Sequence, residues 1–275
     1  MRVRTSDNHQ SLTLTPRSSS PAGRAEVKAC WLTGPGRARD HNEDCLLVLQ
    51  QVSTENGSLP NQEHDGCLAV FDGMGGHRGG EIASRAAADF LSAWTDWSLG
   101  GTRKVLQDAN RRLFELANSN SDWHAMGATV AGLAFGSEGL LVFNVGDARV
   151  YKFSGGFLQP LTKDDSLHQV LLDAGQSSGE RSQAQHAVLQ SLGGRSDFTE
   201  IEPHVHPVRL KHPSRFMICS DGITDMLNAD NLEAAVANRA SCEECAKAFY
   251  EAAIEAGGKD NLSVIVADIQ PAISS

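Results

Sequence analysis

The sequence lacks the features of a membrane or secreted protein. No apolar run among its 275 residues reaches the length of a membrane-spanning helix. The first residues, MRVRTSDNHQSLTLTPRSSSPAGRAE, contain no apolar stretch of the kind that forms a signal peptide. These absences predict a cytoplasmic protein that does not bind membranes.

Basic residues are too few for a nucleic-acid-binding protein. The chain has 24 lysines and arginines against 34 aspartates and glutamates, a net charge of -10. This balance argues against a nucleic-acid or anionic-membrane partner, because like charges repel. An acidic protein that handles phosphate needs local cations, and bound metal ions supply them.

The cysteines lack the spacing of a zinc site or of a cysteine phosphatase. Cys242 and Cys245 form a C-x-x-C, but no second pair or nearby histidine completes a zinc site. We expect them one turn apart on a helix, in a structural role. No C-x5-R signature surrounds the other four, which are Cys30, Cys45, Cys67 and Cys219. They are expected to be core residues rather than nucleophiles.

Hydrophobic periodicity predicts an α+β layout with helices packed outside sheets. Apolar runs predict buried strands at 44–52, 66–72, 127–136, 140–147, 149–153, 215–220 and 262–269. Helical periodicity predicts helices at 79–98, 102–120, 230–238 and 241–257. Gly100-Gly101 is expected to separate the first two helices, and SGGF at 154–157 is typical of a hairpin turn.

Two segments are polar and without periodicity. Residues 1–25 predict a flexible polar tail, which leaves residues 26–271 as a single domain. Residues 175–195 are polar and glycine-rich, and they predict a mobile surface loop.

Carboxylates recur where the apolar runs begin or end. CLAVFDG ends on Asp72-Gly73, LLVFNVGD ends on Asp147, and FMICSDG ends on Asp221-Gly222. Asp260 precedes the last predicted strand, and Asn42-Glu43-Asp44 leads into an early one. A carboxylate at the mouth of a buried strand is costly to desolvate unless it is paired or metal-bound. The recurrence therefore predicts a site for an oxygen-liganded divalent cation.

A simple turn is the alternative at each single position, since Asp-Gly after a strand is usually only a turn. We interpret six other aspartates as turn or surface residues, namely Asp65, Asp89, Asp164, Asp165, Asp173 and Asp197. A structural calcium site is the main rival, but the sequence has no twelve-residue D-x-D-x-D-G loop. His204 and His206 could bind zinc as an H-x-H pair, but prolines and polar residues around them favour exposed side chains.

Seven segments resemble, in order, the motifs of the PPM family of metal-dependent protein phosphatases, also called type 2C. They are GRARDHNED (36–44), FDGMGGHRGGE (71–81), GATVAGLAF (127–135), VGDARVY (145–151), LTKDDSL (161–167), ICSDGITDML (218–227) and KDNLSVIV (259–266). The DGMGGH form resembles the bacterial branch. The resemblance implies a central β-sandwich of two antiparallel sheets, flanked by pairs of antiparallel helices in α-β-β-α layers.

The resemblance implies two catalytic ions, Mn²⁺ or Mg²⁺. Asp72 would bridge them, and the carbonyl of Gly73 would bind one. Asp221 and Asp260 would complete the first metal site. Glu43 would serve the second, directly or through water.

Three further roles are implied by the resemblance. Asp44 would hold metal-bound water, and Asp147 would join Asp221 at a third, weaker ion. Arg39 would grip the substrate phosphate, for which the planar guanidinium is suited because it binds two oxygens at once. An ordinary surface ion pair is the alternative for Arg39.

The implied function is hydrolysis of phosphoserine and phosphothreonine in proteins, by in-line attack of a metal-bridging hydroxide. The implied partners are phosphoproteins and a cognate serine/threonine kinase, and we expect a monomer. One alternative is a pseudophosphatase that binds phosphoproteins without turnover. Another is a calcium- or manganese-stabilised structural domain without a substrate.

Two positions depart from the family pattern. Met74 stands where many eukaryotic relatives have a histidine proposed as the general acid, and His77 lies three residues on. The segment SSGERSQAQHAVLQSLGG, which matches the family's flap, lacks the usual acidic I-T-x-E-E-A segment. The identity of the acid and the substrate preference are the properties that these changes affect.

Overall fold

Two antiparallel sheets pack face to face, with helices on both outer sides. The computed structural model describes residues 25–75, 78–136, 138–175, 187–237 and 239–271. The predicted tail of residues 1–25 lies outside the described residues except for Ala25. No helix in these ranges is both long and apolar enough to cross a membrane.

Thirteen strands build the two sheets in the described ranges. They are β1 (Ala25–Gly34), β2 (Cys45–Val48), β3 (Gln51–Ser53), β4 (Gly57–His64), β5 (Gly66–Met74), β6 (Gly127–Gly136), β7 (Gly139–Val145), β8 (Arg149–Ser154), β9 (Phe157–Pro160), β10 (Leu192–Gly193), β11 (His204–Val208), β12 (Ser214–Cys219) and β13 (Leu262–Pro271). The first sheet has the order β4-β1-β13-β12-β8-β9. The second has the order β11-β7-β6-β5-β2-β3, with β10 added beside β6.

Six α-helices occur in the described ranges. They are α1 (Gly79–Ser92), α2 (Leu99–Asn118), α3 (Leu167–Asp173), α4 (Asp221–Met226), α5 (Ala229–Val236) and α6 (Cys242–Glu255). The pair α1 and α2 covers the second sheet. The helices α4, α5 and α6 cover the first. The predicted α-β-β-α fold class is confirmed.

Both faces of the central strands are buried, which explains their unbroken apolar runs. In β5, Leu68 and Val70 face the core between the two sheets. Cys67, Ala69 and Phe71 face the core between the second sheet and helices α1 and α2. The strand therefore delivers the residues at its end, Asp72 and Gly73, from a rigid support.

Gly100-Gly101 was predicted to separate the first two helices. Instead, the two glycines lie in the first turn of α2. The Ser98 hydroxyl caps this helix by accepting a hydrogen bond of 3.0 Å from the Gly101 N–H. A Cβ on Gly101 would lie 2.1 Å from the carbonyl oxygen of Asp96. Glycine is therefore required by a close backbone approach at the helix start, not by a helix end.

Other predicted bounds also shift. The strand predicted at 44–52 is two strands, because Leu49 adopts a positive φ of 61° between β2 and β3. The helix predicted at 79–98 ends at Ser92, and the short helix α4 was not predicted. The hairpin predicted at 154–157 is confirmed, with Ser154 opposite Phe157.

The loop predicted at 175–195 is structured in its described part. Residues 176–186 lie outside the described residues. Beyond them, Val188 pairs with Ser166 and Leu192 pairs with Ala128 of β6. Leu192 is fully buried in the core under α1 and α2, so this end of the segment is anchored to the second sheet.

The cysteines are buried free thiols, as predicted. Cys242 and Cys245 lie on α6 and pack in the core beneath it. Burial raises the pKa of the Cys219 thiol to about 12 and that of Cys30 to about 11. Thiols in such surroundings are poor nucleophiles.

Candidate active site

The carboxylates singled out in the sequence gather at one end of the sandwich. Asp72 lies near the end of β5, and Asp147 follows β7 directly after Gly146. Asp221 is the first residue of α4, immediately beyond β12, and Asp260 lies just before β13. The structure thus brings together residues that are far apart in sequence.

Asp72 and Asp221 form the centre of this cluster. Their side chains interact directly, and each affects the pKa of the other. Burial raises the pKa of Asp72 well above its usual range, and the charges of Asp44, Asp221 and Asp147 raise it further. Burial, with help from the charge of Asp225, raises the pKa of Asp221 to about 6. Burial and the neighbouring carboxylates therefore both disfavour the charged forms of this pair.

Asp44 lies beneath this pair and is almost fully buried, with 1% of its surface exposed. Its Oδ2 accepts a hydrogen bond of 2.9 Å from the Ser220 hydroxyl. Its Oδ1 is buried without a hydrogen-bond partner among the described residues. Burial raises the pKa of Asp44 to about 7, although the nearby hydroxyl groups of Ser263 and Ser220 act to lower it. A buried oxygen without a donor is costly unless a ligand or water reaches it.

Glu43 and Gly73 are fixed by the start of helix α1. The Ser84 hydroxyl donates to the Glu43 carbonyl at 2.6 Å, and the Glu43 N–H donates to the Asn261 side chain at 2.9 Å. A Cβ on Gly73 would lie 2.1 Å from the carbonyl oxygen of Gly80. Only glycine lets the strand approach the helix this closely. Burial raises the pKa of Glu43.

Arg39 reaches the edge of the cluster. Its Nη2 donates to Oδ2 of Asp260 at 2.9 Å, while 53% of the Arg39 side chain and 41% of the Asp260 side chain are exposed. The hydrogen bond to Asp260 is the main cause that raises the pKa of Arg39, and the charges of Glu43 and Asp72 raise it to a smaller extent. The guanidinium is thus next to the carboxylates, in an ion pair with one of the predicted metal ligands.

The loop that carries Asp147 is held by a second aspartate. Oδ2 of Asp165 accepts a hydrogen bond of 3.0 Å from the Gly146 N–H. Its Oδ1 lies 2.8 Å from Nε2 of His204 and accepts a bond of 3.0 Å from Gln190. The Asp165 carbonyl also accepts from the Leu189 N–H at 2.7 Å. Asp165 therefore links the Asp147 loop to the end of the segment that was predicted to be mobile.

These contacts correct two interpretations from the sequence. Asp164 and Asp165 were interpreted as turn or surface residues, but both are mostly buried and hydrogen-bonded. His204 was expected to be exposed, yet its ring contacts Asp165, and this hydrogen bond raises the pKa of His204. His206 is exposed, as predicted. The sequence gives no signal for these pairs, because the partners come from separate segments.

The oxygen donors fit a hard divalent cation. Buried carboxylates, a buried oxygen without a partner and raised carboxyl pKa values are what a cation such as Mn²⁺ or Mg²⁺ would relieve. Two of the candidate residues have protein partners, Asp44 in Ser220 and Asp260 in Arg39. Within the described ranges, no three His, Cys, Asp or Glu side chains are already grouped closely enough to hold a metal ion.

Two site features were missed in the sequence. Ser220 bridges the site by donating to Asp44 and accepting from the Ser263 N–H at 3.1 Å. Asn261 ties the two ends of the site together, since its side chain donates to the His41 carbonyl at 2.8 Å. Both stand beside a predicted ligand, Asp221 or Asp260, and that adjacency was the available signal. Met74 ends β5, and His77 lies outside the described residues.

The model of one protein family, Protein phosphatase 2C, matches residues 58–256. The chain belongs to this family. The predicted enzyme class, a metal-dependent serine/threonine phosphatase and hence a hydrolase, is confirmed.

Relatives and solved structures of this phosphatase family are similar over most of the chain. The serine/threonine phosphatase stp of Listeria welshimeri is 31% identical over 248 residues, which cover 86% of this chain and 93% of that protein. The crystal structure of the Mycobacterium tuberculosis serine/threonine phosphatase PstP/Ppp has a TM-score of 0.75 at 27% identity, covering 89% of this chain and 99% of that chain. The catalytic domain of PstP in complex with two manganese ions has a TM-score of 0.73 at 27% identity, covering 90% and 99%.

Proposed function

We propose that this phosphatase hydrolyses phosphoserine and phosphothreonine in proteins at the carboxylate cluster, with Mn²⁺ or Mg²⁺ as cofactor. One observation carries the proposal: several buried carboxylates meet at one end of the sandwich. Burial is the main cause that raises the pKa of Asp72, and repulsion from the neighbouring carboxylates raises it further. A divalent cation would supply the missing positive charge. The manganese-bound PstP domain, similar in fold, supports the choice of ion.

In this proposal, Asp72, Asp221, Asp260 and Glu43 hold two ions, with the Gly73 carbonyl as a further oxygen donor. Bound ions would lower the pKa of a water and neutralise phosphate oxygens during in-line attack. The protein's own part is to fix these donors on the ends of rigid strands and on the start of α4. The rigid support keeps the donors in place during turnover.

Asp44 and Asp147 are assigned to the surroundings of these ions. The unpartnered Oδ1 of buried Asp44 is suited to accept a hydrogen bond from water held in the site. Asp147 lies near Asp221. Burial is the main cause that raises the pKa of Asp147, and the charge of Asp221 is the second. We propose it as a donor, with Asp221, to a third and weaker ion.

Arg39 is assigned to the substrate phosphate. Its ion pair with Asp260 is largely exposed, and such pairs are worth little. The guanidinium can therefore leave Asp260 when an ion binds that carboxylate, and turn its fork of N–H groups to phosphate. A structural metal site would have no use for this arginine. No observation in the described residues favours a pseudophosphatase.

The test is release of phosphate from a phosphothreonine peptide. We expect activity with added Mn²⁺ or Mg²⁺ and none after chelation, because oxygen ligands hold these ions through few protein contacts. Full activity in a chelator-stripped sample would reject the metal mechanism. Metal binding without any turnover would point to a pseudophosphatase. Proteins phosphorylated by a serine/threonine kinase are the proposed physiological substrates.

A further inference from the structure

A groove with a volume of about 800 Å³ lies between α6 and strands β1 and β4. We call it the α6 groove. Its size is that of a site that takes several side chains. None of the residues assigned to ions or phosphate lines it.

The floor of the α6 groove is apolar. It is formed by Leu32 of β1 and by Tyr250 and Ile254 of α6, which pack against the core beneath α6 and are half-buried. Trp31 also lines the groove, but it packs against the core between the two sheets, and its indole N–H donates to the Glu55 carbonyl at 2.9 Å. What the floor offers a ligand is mainly apolar surface, suited to an aliphatic or aromatic side chain.

The rim of the α6 groove is acidic. Glu243, Glu251 and Glu255 are exposed along α6. Two cations also line the groove: Lys247, which lies 3.7 Å from Glu251 in a loose, exposed pair, and Arg37 at the end of the groove, so the three glutamates leave a net negative charge. Three glutamates around an apolar floor favour an occupant that carries lysine or arginine next to apolar residues.

The α6 groove is continuous with the catalytic end of the sandwich. Arg37 lines the groove, and its backbone N–H donates to the Gly258 carbonyl at 2.7 Å. Two residues further on, Arg39 contacts Asp260. A polypeptide whose phosphate lies at Arg39 can therefore continue past Arg37 and along α6, from Glu255 toward Glu243.

We propose that the α6 groove binds the polypeptide segment that flanks the phosphorylated residue of the substrate. Apolar side chains of that segment lie on the floor formed by Leu32, Tyr250 and Ile254, and its lysine or arginine side chains face the glutamate rim. The inference rests on the proposed function, because it places the phosphate at Arg39. It predicts a preference for phosphoproteins with basic and apolar residues near the phosphorylation site.

The test compares two doubly charge-reversed variants on three substrates. The groove variant is Glu251→Lys with Glu255→Lys. The control variant is Glu115→Lys with Asp122→Lys, which makes the same change of charge at exposed positions on the other side of the sandwich. The substrates are a phosphothreonine peptide with a Lys- and Leu-containing flank, the same peptide with a Gly/Ser flank, and p-nitrophenyl phosphate.

The groove variant should lose about three- to tenfold in kcat/KM on the basic peptide, as expected for two exposed ion contacts. Its activity on the Gly/Ser peptide and on p-nitrophenyl phosphate should be unchanged, and the control variant should match the wild type on all three. An unchanged value for the basic peptide, or an equal loss in both variants, would overturn the inference. Inactivity of the wild type on all substrates would reject the proposed function instead.

Discussion

Two buried aspartates at the same end of the molecule differ in their partners. Asp164 and Asp147 are almost equally buried, with 9% of the Asp164 side chain and 8% of Asp147 exposed. Asp164 is held by Arg149 through hydrogen bonds of 2.6, 2.9 and 3.1 Å. Within the described residues, no ion pair involves Asp147, and burial raises the pKa of Asp147 well above its usual range. Burial of a carboxylate alone does not indicate a site, whereas burial without a cationic partner does.

The largest effect is expected from Asp72→Asn, which removes one of the buried carboxyl groups that form no ion pair with a cation among the described residues. Metal-dependent turnover should fall by more than about a hundredfold, because direct ligands matter more than the groups behind them. Stability without metal should not fall, since one of several repelling carboxylates is gone. Phosphate release and thermal unfolding of the metal-free protein test both parts. The control is Asp65→Asn at an exposed site, and wild-type turnover in Asp72→Asn would refute the assignment.

Removing an aspartate that is paired with a cation should instead lower the stability of the protein. Asp164→Ala leaves the mostly buried Arg149 without its partner, so unfolding in urea should show a loss of about 3–5 kcal/mol. Asp147→Asn should cost no stability in the metal-free protein. Asp173→Ala is the matched control, because its partner Lys163 is exposed and can be solvated. Similar losses in Asp164→Ala and Asp147→Asn would remove the distinction between paired and unpaired carboxylates.

Arg39→Ala separates phosphate binding from metal binding. Loss of a charge-assisted contact should lower kcat/KM for p-nitrophenyl phosphate by about ten- to a hundredfold, mainly through KM. Metal affinity should be unchanged or higher, because Arg39 no longer competes for Asp260. This substrate has no flanking polypeptide, so Arg37→Ala is a suitable control and should match the wild type. Equal effects of both substitutions would show that the assignment of Arg39 is wrong.

The smallest effect concerns pH. The raised pKa values of Asp44, about 7, and Asp221, about 6, mean that the native state holds these protons more tightly than the unfolded chain. Stability of the metal-free protein should therefore fall as pH rises from about 4 to about 7, by more than about 1 kcal/mol. Saturating Mn²⁺ should remove this decline, which urea unfolding across the pH range would measure. A metal-free stability that rises over the same range would contradict the unpaired state of the cluster.

Much of the fold could be predicted because central strands are covered on both faces. Unbroken apolar runs such as that of β5 report this burial directly. Gly100-Gly101 misled the prediction, since the sequence shows two helix breakers and not the Ser98 cap or the nearby Asp96 carbonyl that make glycine necessary. At such positions the residue type depends on how closely two backbone segments approach in the fold, and hydrophobic periodicity does not predict that distance.

The candidate site was likewise predictable where it depends on single strands and not where it depends on contacts between separate segments. Asp72, Asp221 and Asp260 could be found because each adjoins a recognisable strand. The Arg149–Asp164 pair and the Asp165–His204 contact could not, because each joins residues from separate segments. Asp164 and Asp165 look alike in sequence, as neighbours in a polar loop. Only the structure shows that one neutralises a buried arginine while the other holds the Asp147 loop.

The full-length pairing of β1 with β13 has a consequence for the order of folding. β13 lies between β1 and β12, so the first sheet is interrupted until the last described strand is in place. Asp260 and Asn261 enter the site with that strand, and their partners Arg39 and Glu43 stand near the other end of the chain. Contacts between residues so far apart in sequence form slowly, because a long loop must close first. A nascent chain therefore cannot complete the proposed metal site before residue 260 has emerged, and phosphatase activity should appear only after β13 has joined the first sheet.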